Sequence, residues 1–406
     1  MATSNAPDVD LRAQGFPPQV LLALGALGVS LYLYGGGAPP EGTEPLEEAE
    51  DDKLWPLWML MWGLWRLLQL VLLLVLTLLG VLIARQRSMM YVPVPPNMQR
   101  SPKLNPPMYR SPERWSLPFQ DAFITTADGV RIHAWFVYQP VAKCQDGPVP
   151  TLICFHGNAG NIGHRLENVR DMHANLGVNL LVVDYRGFGD SEDGEGPCEE
   201  GFVKDALAAY WWVVHRSRSP PADEVTAMSE DRIILFGQSI GGAVAIQCAA
   251  RLLRERLSRG TGEEDIPLPA GLVLENTFTS MRDMATQVFP PLKFAGPLLR
   301  WPLLLDEWRS AESLRYFCQN HTDWACCLLS GERDEIVPAE QMRQLRAVLD
   351  EGRPRIVKYF KFPRGMHNDT PQQGGAEYWA SYNKYLALVV ADLQERRSRT
   401  AGASQG

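Results

Sequence analysis

Arg232-Ile233-Ile234-Leu235-Phe236-Gly237-Gln238-Ser239-Ile240-Gly241 is the stretch that decides the fold. Its first five residues form an apolar run of strand type, and Ile240 to Leu253 continues in a helix pattern. Between them stands G-x-S-x-G. A strand that turns sharply into a helix around such a serine lifts the hydroxyl above the sheet edge, and the flanking glycines let backbone pass where a Cβ would clash. The bare motif arises by chance. With a strand before it and a helix after it, the motif points to Ser239 as a nucleophile.

Working outward, strands and helices alternate. Phe119 to Thr125 and Val130 to Val137 flank Asp128-Gly129, a hairpin signal. A strand follows at Thr151 to Phe155, then a helix near Arg165 to Leu176, a strand at Asn179 to Asp184 and a helix near Glu200 to His215. Beyond the elbow, Leu272 to Glu275, Trp324 to Leu329 and Ile356 to Phe362 read as strands, with helices near Ala339 to Leu349 and Tyr378 to Glu395. This pattern predicts an α/β fold, a mostly parallel sheet flanked by helices with an antiparallel start.

A serine hydroxyl needs a base within hydrogen-bond reach. His367 is the best placed of seven histidines, on a glycine-containing loop after the last strand pattern. Ligand sites gather at the carboxyl ends of parallel strands. The base needs a carboxylate to fix its tautomer. Asp334 follows the strand ending at Leu329, and the order Ser239, Asp334, His367 is that of nucleophile, acid and base. Glu275, at the end of the strand after the elbow helix, and the adjacent Glu335 are its rivals. Two amides are expected to hold an oxyanion: Ile240, directly after the nucleophile, and Asn158 in the loop His156-Gly157-Asn158-Ala159-Gly160-Asn161, with Gly157 as fallback. His156 reads as a structural hydrogen-bonder that shapes this loop. Its glycines do not make a phosphate loop, since no Gly-Lys-Ser/Thr follows.

The N-terminal region reads differently. Leu54 to Ala84 is apolar apart from Arg66, Gln69 and Thr77, and its last 18 residues would span roughly 27 Å as a helix. Trp55, Trp58, Trp62 and Trp65 share one face, as suits the headgroup level. This predicts a transmembrane helix over 54–84. A shorter apolar stretch, Val20 to Tyr34, reads as a first span forming a hairpin with it, with a signal-peptide core as the competing reading. Arg85, Arg87, Arg100 and Lys103 after the helix place the catalytic part in the cytosol by the positive-inside rule. Residues 85–118 carry eight prolines and read as an extended tether. The catalytic domain is expected over 119–396 and a disordered tail over 397–406.

Net charge is −8, of which the segment Glu41 to Lys53 supplies −6. With no basic stripe left, nucleic acid is not an expected partner. The seven cysteines form no C-x-x-C pair and read as buried thiols. No metal or cofactor is expected.

Residues 119–396 resemble the α/β-hydrolase superfamily. More narrowly, His156 to Gly163, the run Asp184 to Gly189 followed by Ser191, and Gly365-Met366-His367-Asn368-Asp369 are similar to its membrane-anchored branch, represented by α/β-hydrolase domain-containing protein 13. The resemblance implies a serine-hydrolase triad, an N-terminal membrane anchor and an ester, thioester or lipid substrate. Gln238 departs from that branch, where a basic residue is common. The apolar residues between Phe278 and Trp308 suggest a lid over a fatty-acyl pocket, against ordinary packing of short helices. The expected function is thus membrane-tethered hydrolysis of lipid acyl esters or thioesters. Removal of palmitate from protein cysteines is the enzymatic alternative, and a non-catalytic membrane scaffold the other.

Overall fold

A computed structural model describes residues 55–144, 147–221, 226–259, 266–288 and 303–403. The expected first span at Val20 to Tyr34, the acidic loop, residues 289–302 of the expected lid and the last three residues lie outside these.

The first described element is a 36-residue helix, α1 (Trp55–Met90), whose apolar side chains are almost all exposed. It is long and apolar enough to cross a membrane, and it extends six residues past the expected end at Ala84. The chain divides at Arg87, and all that follows forms a unit of its own.

That unit is built on one eight-stranded sheet. Its strands are β1 (Phe119–Thr125), β2 (Arg131–Val137), β3 (Thr151–Phe155), β4 (Asn179–Val183), β5 (Ile233–Gln238), β6 (Gly271–Glu275), β7 (Ala325–Gly331) and β8 (Ile356–Phe362). They lie in the order β1-β2-β4-β3-β5-β6-β7-β8. β1, β2 and β4 pair antiparallel, and every other pairing is parallel. The described helices of the unit are α2 (Leu166–Leu176), α3 (Glu199–Arg218), α4 (Ile240–Arg259), α5 (Met281–Val288), α6 (Ser310–Asn320), α7 (Ala339–Gly352) and α8 (Thr370–Ala403), the last broken at Gly375.

Continuous apolar strands are what a sheet covered on both faces requires. Ile153 and Phe155 of β3 pack in one core, with Tyr210 of α3 and Val244 of α4, while Leu152 and Cys154 face the other, with Val169 of α2 and Tyr382 of α8. Cys326 and Cys327 likewise enter opposite cores, as neighbours on a strand must. All seven cysteines are free thiols.

Two expectations need correction. The stretch after α1 is not an extended tether: it forms short 3₁₀ turns at Pro102–Leu104, Pro107–Tyr109 and Pro112–Trp115, and Tyr91, Pro102, Asn105 and Pro112 are buried. Each proline opens its turn, where a fixed φ and a missing N–H cost nothing. Basic residues read as a topology signal also pair with acids of the unit: Arg87 with Asp306, Arg100 with Asp193 and Lys103 with Asp190, at 3.0, 2.6 and 3.1 Å. Nor does disorder begin at residue 397. The helix continues to Ala403, with Arg397 reaching Asp231 at 2.6 Å and Arg399 pairing with Glu395 one turn back.

Candidate active site

β3 and β5 are neighbours, but the chain leaves them towards opposite sides of the sheet order, β4 on one side and β6 on the other. Such a switch point opens a crevice at the carboxyl ends of the strands. The loop His156–Asn161 follows β3, and Ser239 follows β5.

Ser239 sits between the last residue of β5 and the first of α4 with φ of 55°, a left-handed conformation that costs a non-glycine residue about 1 kcal/mol or more. Neighbouring glycines make the turn feasible. A Cβ on Gly237 would lie 2.1 Å from the Gly241 carbonyl oxygen, and one on Gly241 would lie 2.0 Å from the Phe155 oxygen. The elbow is locked from outside as well: Ser239 N–H donates to Glu275 O at 2.9 Å, and Thr277 Oγ1 donates to Ser239 O at 2.6 Å.

The expected acid and base meet. His367 Nδ1 lies 2.7 Å from Asp334 Oδ2, with both side chains buried. The other carboxylate oxygen, Oδ1, accepts from the amides of Ile336 and Val337 at 2.9 and 2.7 Å, which fixes the carboxylate plane. Neither rival touches the ring. Glu335 accepts the backbone N–H of His367 at 3.1 Å. Glu275 accepts from the Tyr378 hydroxyl, and burial pushes its carboxyl up to about 7 against the pull of that hydrogen bond.

The histidine loop is fastened beside Ser239. Gln238 Nε2 and Asn276 Nδ2 both donate to His367 O at 3.1 Å. Asn276 Oδ1 also accepts from Gly331 N at 2.8 Å, so one side chain ties together the loops that carry Asp334 and His367. Among the described residues, the Ser239 hydroxyl and the His367 ring are not hydrogen-bonded to each other. In unliganded hydrolytic sites this contact is commonly long and tightens with substrate.

Of the two expected oxyanion donors, Ile240 is the first residue of α4, so its N–H has no intrahelical acceptor. Gly157 brings the other loop close, since a Cβ there would stand 3.3 Å from Ser239 Cβ. Its carbonyl oxygen is held by Arg165 Nη2 at 3.0 Å and by His156 Nδ1 at 2.8 Å. In a trans peptide the N–H points opposite to the C=O. Asn158 N–H, on the same peptide plane, is therefore directed away from Arg165, and no described group accepts it.

His156 has the expected structural part. Its ring packs on Tyr185 at 4.7 Å between centroids, and its Nε2 lies 3.5 Å from Asp184, which also receives Ile162 N–H at 3.0 Å. Burial opposes the charge on Asp184, but His133 and His156 outweigh it and hold the carboxyl below its ordinary range. Beside the loop lies a cavity of about 40 Å³ lined by His156, Arg165, Phe236, Gln238, Glu275 and Tyr378. It has room for water rather than a fatty chain.

Sequence reasoning missed Arg165, Asn276 and the part played by Gln238. Only Asn276 left a trace: asparagine directly after a strand is a common left-handed residue, and its φ is 46°.

Comparisons with known proteins agree with this architecture. Residues 152–401 match the model of the alpha/beta hydrolase family. The alpha/beta hydrolase domain-containing protein WAV2 of Arabidopsis thaliana is 34% identical over 78% of this chain and 92% of its own length. A Saccharomyces cerevisiae relative, named uncharacterized membrane protein YNL320W, is 30% identical over 68% of this chain and 82% of its own. Among solved structures, the Pyrococcus furiosus esterase Pf2001 superposes with a TM-score of 0.50 at 18% identity, covering 74% of this chain and 98% of its own, which speaks for the fold alone. With the elbow, the sheet order and these matches in hand, the chain belongs to the α/β hydrolase family and is a serine hydrolase.

Proposed function

We propose that this chain is a membrane-tethered hydrolase that cleaves carboxylic esters or thioesters of lipid acyl groups. The single observation that carries the reading is the 2.7 Å pairing of His367 with Asp334, on a loop fastened to the residue before Ser239. In this mechanism the Ser239 hydroxyl attacks the acyl carbonyl while His367 Nε2 takes its proton. Asp334 holds the Nδ1 proton and stabilises the imidazolium. The tetrahedral oxyanion is received by the amides of Asn158 and Ile240. Collapse breaks the bond to the leaving alcohol or thiol, which takes the proton from His367, and water then releases the acyl group by the same steps in reverse. Support for a lipid substrate is the apolar, exposed helix α1, which would keep the site at a bilayer. On this reading the catalytic unit faces the cytosol.

A fluorophosphonate probe tests the chemistry: full-length wild type is labelled, and Ser239→Ala is not. Unlabelled but folded wild type would instead favour the scaffold. Profiling p-nitrophenyl esters by chain length tests the substrate class, and an optimum at two to four carbons would count against lipid acyl groups. Faster turnover of S-acyl cysteine peptides than of oxyesters would favour the depalmitoylase reading. Protease protection in sealed vesicles tests the side of the membrane.

A further inference from the structure

The loop after β3 contains Gly157 and Gly160, the latter at φ of 76°, so it is intrinsically soft. An oxyanion donor cannot be soft, because its amide must hold its aim to within about 0.5 Å and 10–20°. The loop is accordingly held from two sides. From inside the unit, Arg165 Nη2 donates to the carbonyls of Gly157 and Ala159 at 3.0 and 2.6 Å. From the other side, and within the same unit, the partner is the segment that begins with the last residue of α1. Asn158 Nδ2 donates to Met90 O at 2.6 Å, and Asn158 Oδ1 accepts from Val92 N at 2.9 Å. Gly160 N adds a bond to Val92 O at 3.2 Å.

The Asn158 side chain thus behaves as a peptide group laid against a strand, one donor and one acceptor meeting one carbonyl and one amide. Only asparagine or the longer glutamine offers both from one side-chain amide. The rail it grips is itself fixed. Tyr91, between the two gripped residues, is 2% exposed. Its hydroxyl donates to Asp306 Oδ2 at 3.0 Å and accepts from Trp308 Nε1 at 2.9 Å, and its ring packs on Phe202 at 5.0 Å. The amides of Glu307 and Trp308 converge in turn on Glu199 Oε2 at 2.8 Å each.

We infer that the segment Met90–Val92, acting through the Asn158 side chain, is a positioning element of the oxyanion hole: it sets the direction of the Asn158 amide that receives the tetrahedral intermediate. This rests on the acyl-transfer reading above. The residues that leave the apolar helix are then part of the catalytic apparatus rather than a passive connection.

The test uses the full-length chain in detergent micelles with p-nitrophenyl butyrate as substrate. Rates are expressed per active site titrated with fluorophosphonate. Asn158→Ala keeps the backbone amide and removes both side-chain bonds, while Val92→Pro removes the amide that Asn158 Oδ1 accepts from. Complete loss of an oxyanion donor costs roughly 10²–10³-fold in kcat, so misdirection of one predicts a fall of about 10- to 100-fold with KM within twofold. The inhibition constant of a trifluoromethyl ketone, whose serine adduct carries the oxyanion, rises in parallel. The double variant is no worse than the poorer single one, because both break one clamp. A merely structural role would lower the melting temperature and leave kcat per titrated site and ketone affinity unchanged. That result overturns the inference while the hydrolase reading stands. Failure of wild type to label would overturn both. Should Val92→Pro not fold, Asn158→Asp, which keeps the acceptor and loses only the donor to Met90 O, is read in its place and gives an intermediate loss.

Discussion

Arg165→Met separates stability from catalysis. The guanidinium donates to two loop carbonyls and, among the described residues, forms no ion pair, and its Nε is enclosed without a partner. Burial accordingly holds its pKa below the ordinary value. Substitution removes two charge-assisted hydrogen bonds, each worth about 1.5–3 kcal/mol. It also relieves the desolvation of an uncompensated charge, a cost of several kcal/mol in its own right. The terms oppose each other at similar size, so the folded state shifts by no more than about 2 kcal/mol, in either direction. For catalysis nothing offsets the loss. The Gly157 carbonyl keeps only its bond from His156 Nδ1, and the peptide that carries Asn158 N–H loses the stronger of its two carbonyl anchors. A misdirected rather than absent donor predicts a kcat about 10- to 100-fold lower, with KM little changed. Arg165→Lys, whose point charge can serve one carbonyl, loses less. Steady-state p-nitrophenyl butyrate hydrolysis per titrated site, paired with thermal unfolding, reads both quantities. A kcat within twofold of wild type in a folded Arg165→Met would refute the argument that the carbonyl anchor sets the amide.

Three further predictions concern the carboxylates and the elbow. Asp334→Asn should lower kcat by about 10⁴-fold, as loss of the acid does in a characterised triad. Glu275→Gln should not, because Glu275 bonds Tyr378 and not His367. Its effect is on stability. Its folded pKa is raised to about 7, so the native state holds a proton that the unfolded chain releases near pH 4.3. Stability from this group is full below that pH and lost as pH rises through about 7. Glu275→Gln should flatten the decline in melting temperature between pH 5 and 8, and an undiminished decline would exclude the group as its source. At the elbow, Gly241→Ala places a Cβ 2.0 Å from the Phe155 carbonyl oxygen. Backbone must then move, at about 3 kcal/mol or more, which lowers the melting temperature by roughly 6–12 °C in a domain of this size. An unshifted transition would mean that β3 and α4 are less tightly apposed than the structure has them.

How much of this was legible depends on the distance over which each residue acts. The inner strands β3 to β7 were legible because burial on both faces leaves them largely apolar, and the elbow because a strand, a glycine-flanked serine and a helix meet within a few positions. Chain order alone made Asp334 and His367 candidates. Their hydrogen bond, and the diversion of Glu275 to Tyr378 and Glu335 to a backbone amide, are tertiary facts. The helix Thr370–Ala403 begins before the Tyr378 that the sequence pattern suggests, because its first turns are interrupted by Gly374-Gly375, one of which takes a left-handed φ. Eight prolines made the stretch after α1 look loose, since proline signals extended chain and turn starts equally, and the burial of Tyr91, Pro102, Asn105 and Pro112 decides between them. Arg165 was invisible for a different reason. At the start of an amphipathic helix a basic residue reads as solvated surface, and nothing nearby announces that loop carbonyls will bend back to it.

Gln238 shows how a neutral side chain can supply one physical function while withholding another. Its Nε2 donates to His367 O at 3.1 Å, a bond that a lysine or arginine could also supply. A cation in that place would stand beside the ring that must become imidazolium, and would lower the ring's basicity. Glutamine supplies the donor without the charge. The oxygen of the same amide lies near Gly157, whose hypothetical Cβ would be 3.4 Å away. One neutral side chain thus stands between the histidine loop and the oxyanion loop, directly beside the nucleophile. The position therefore acts on the shape of the site through its hydrogen bond, and on its electrostatics through the absence of charge.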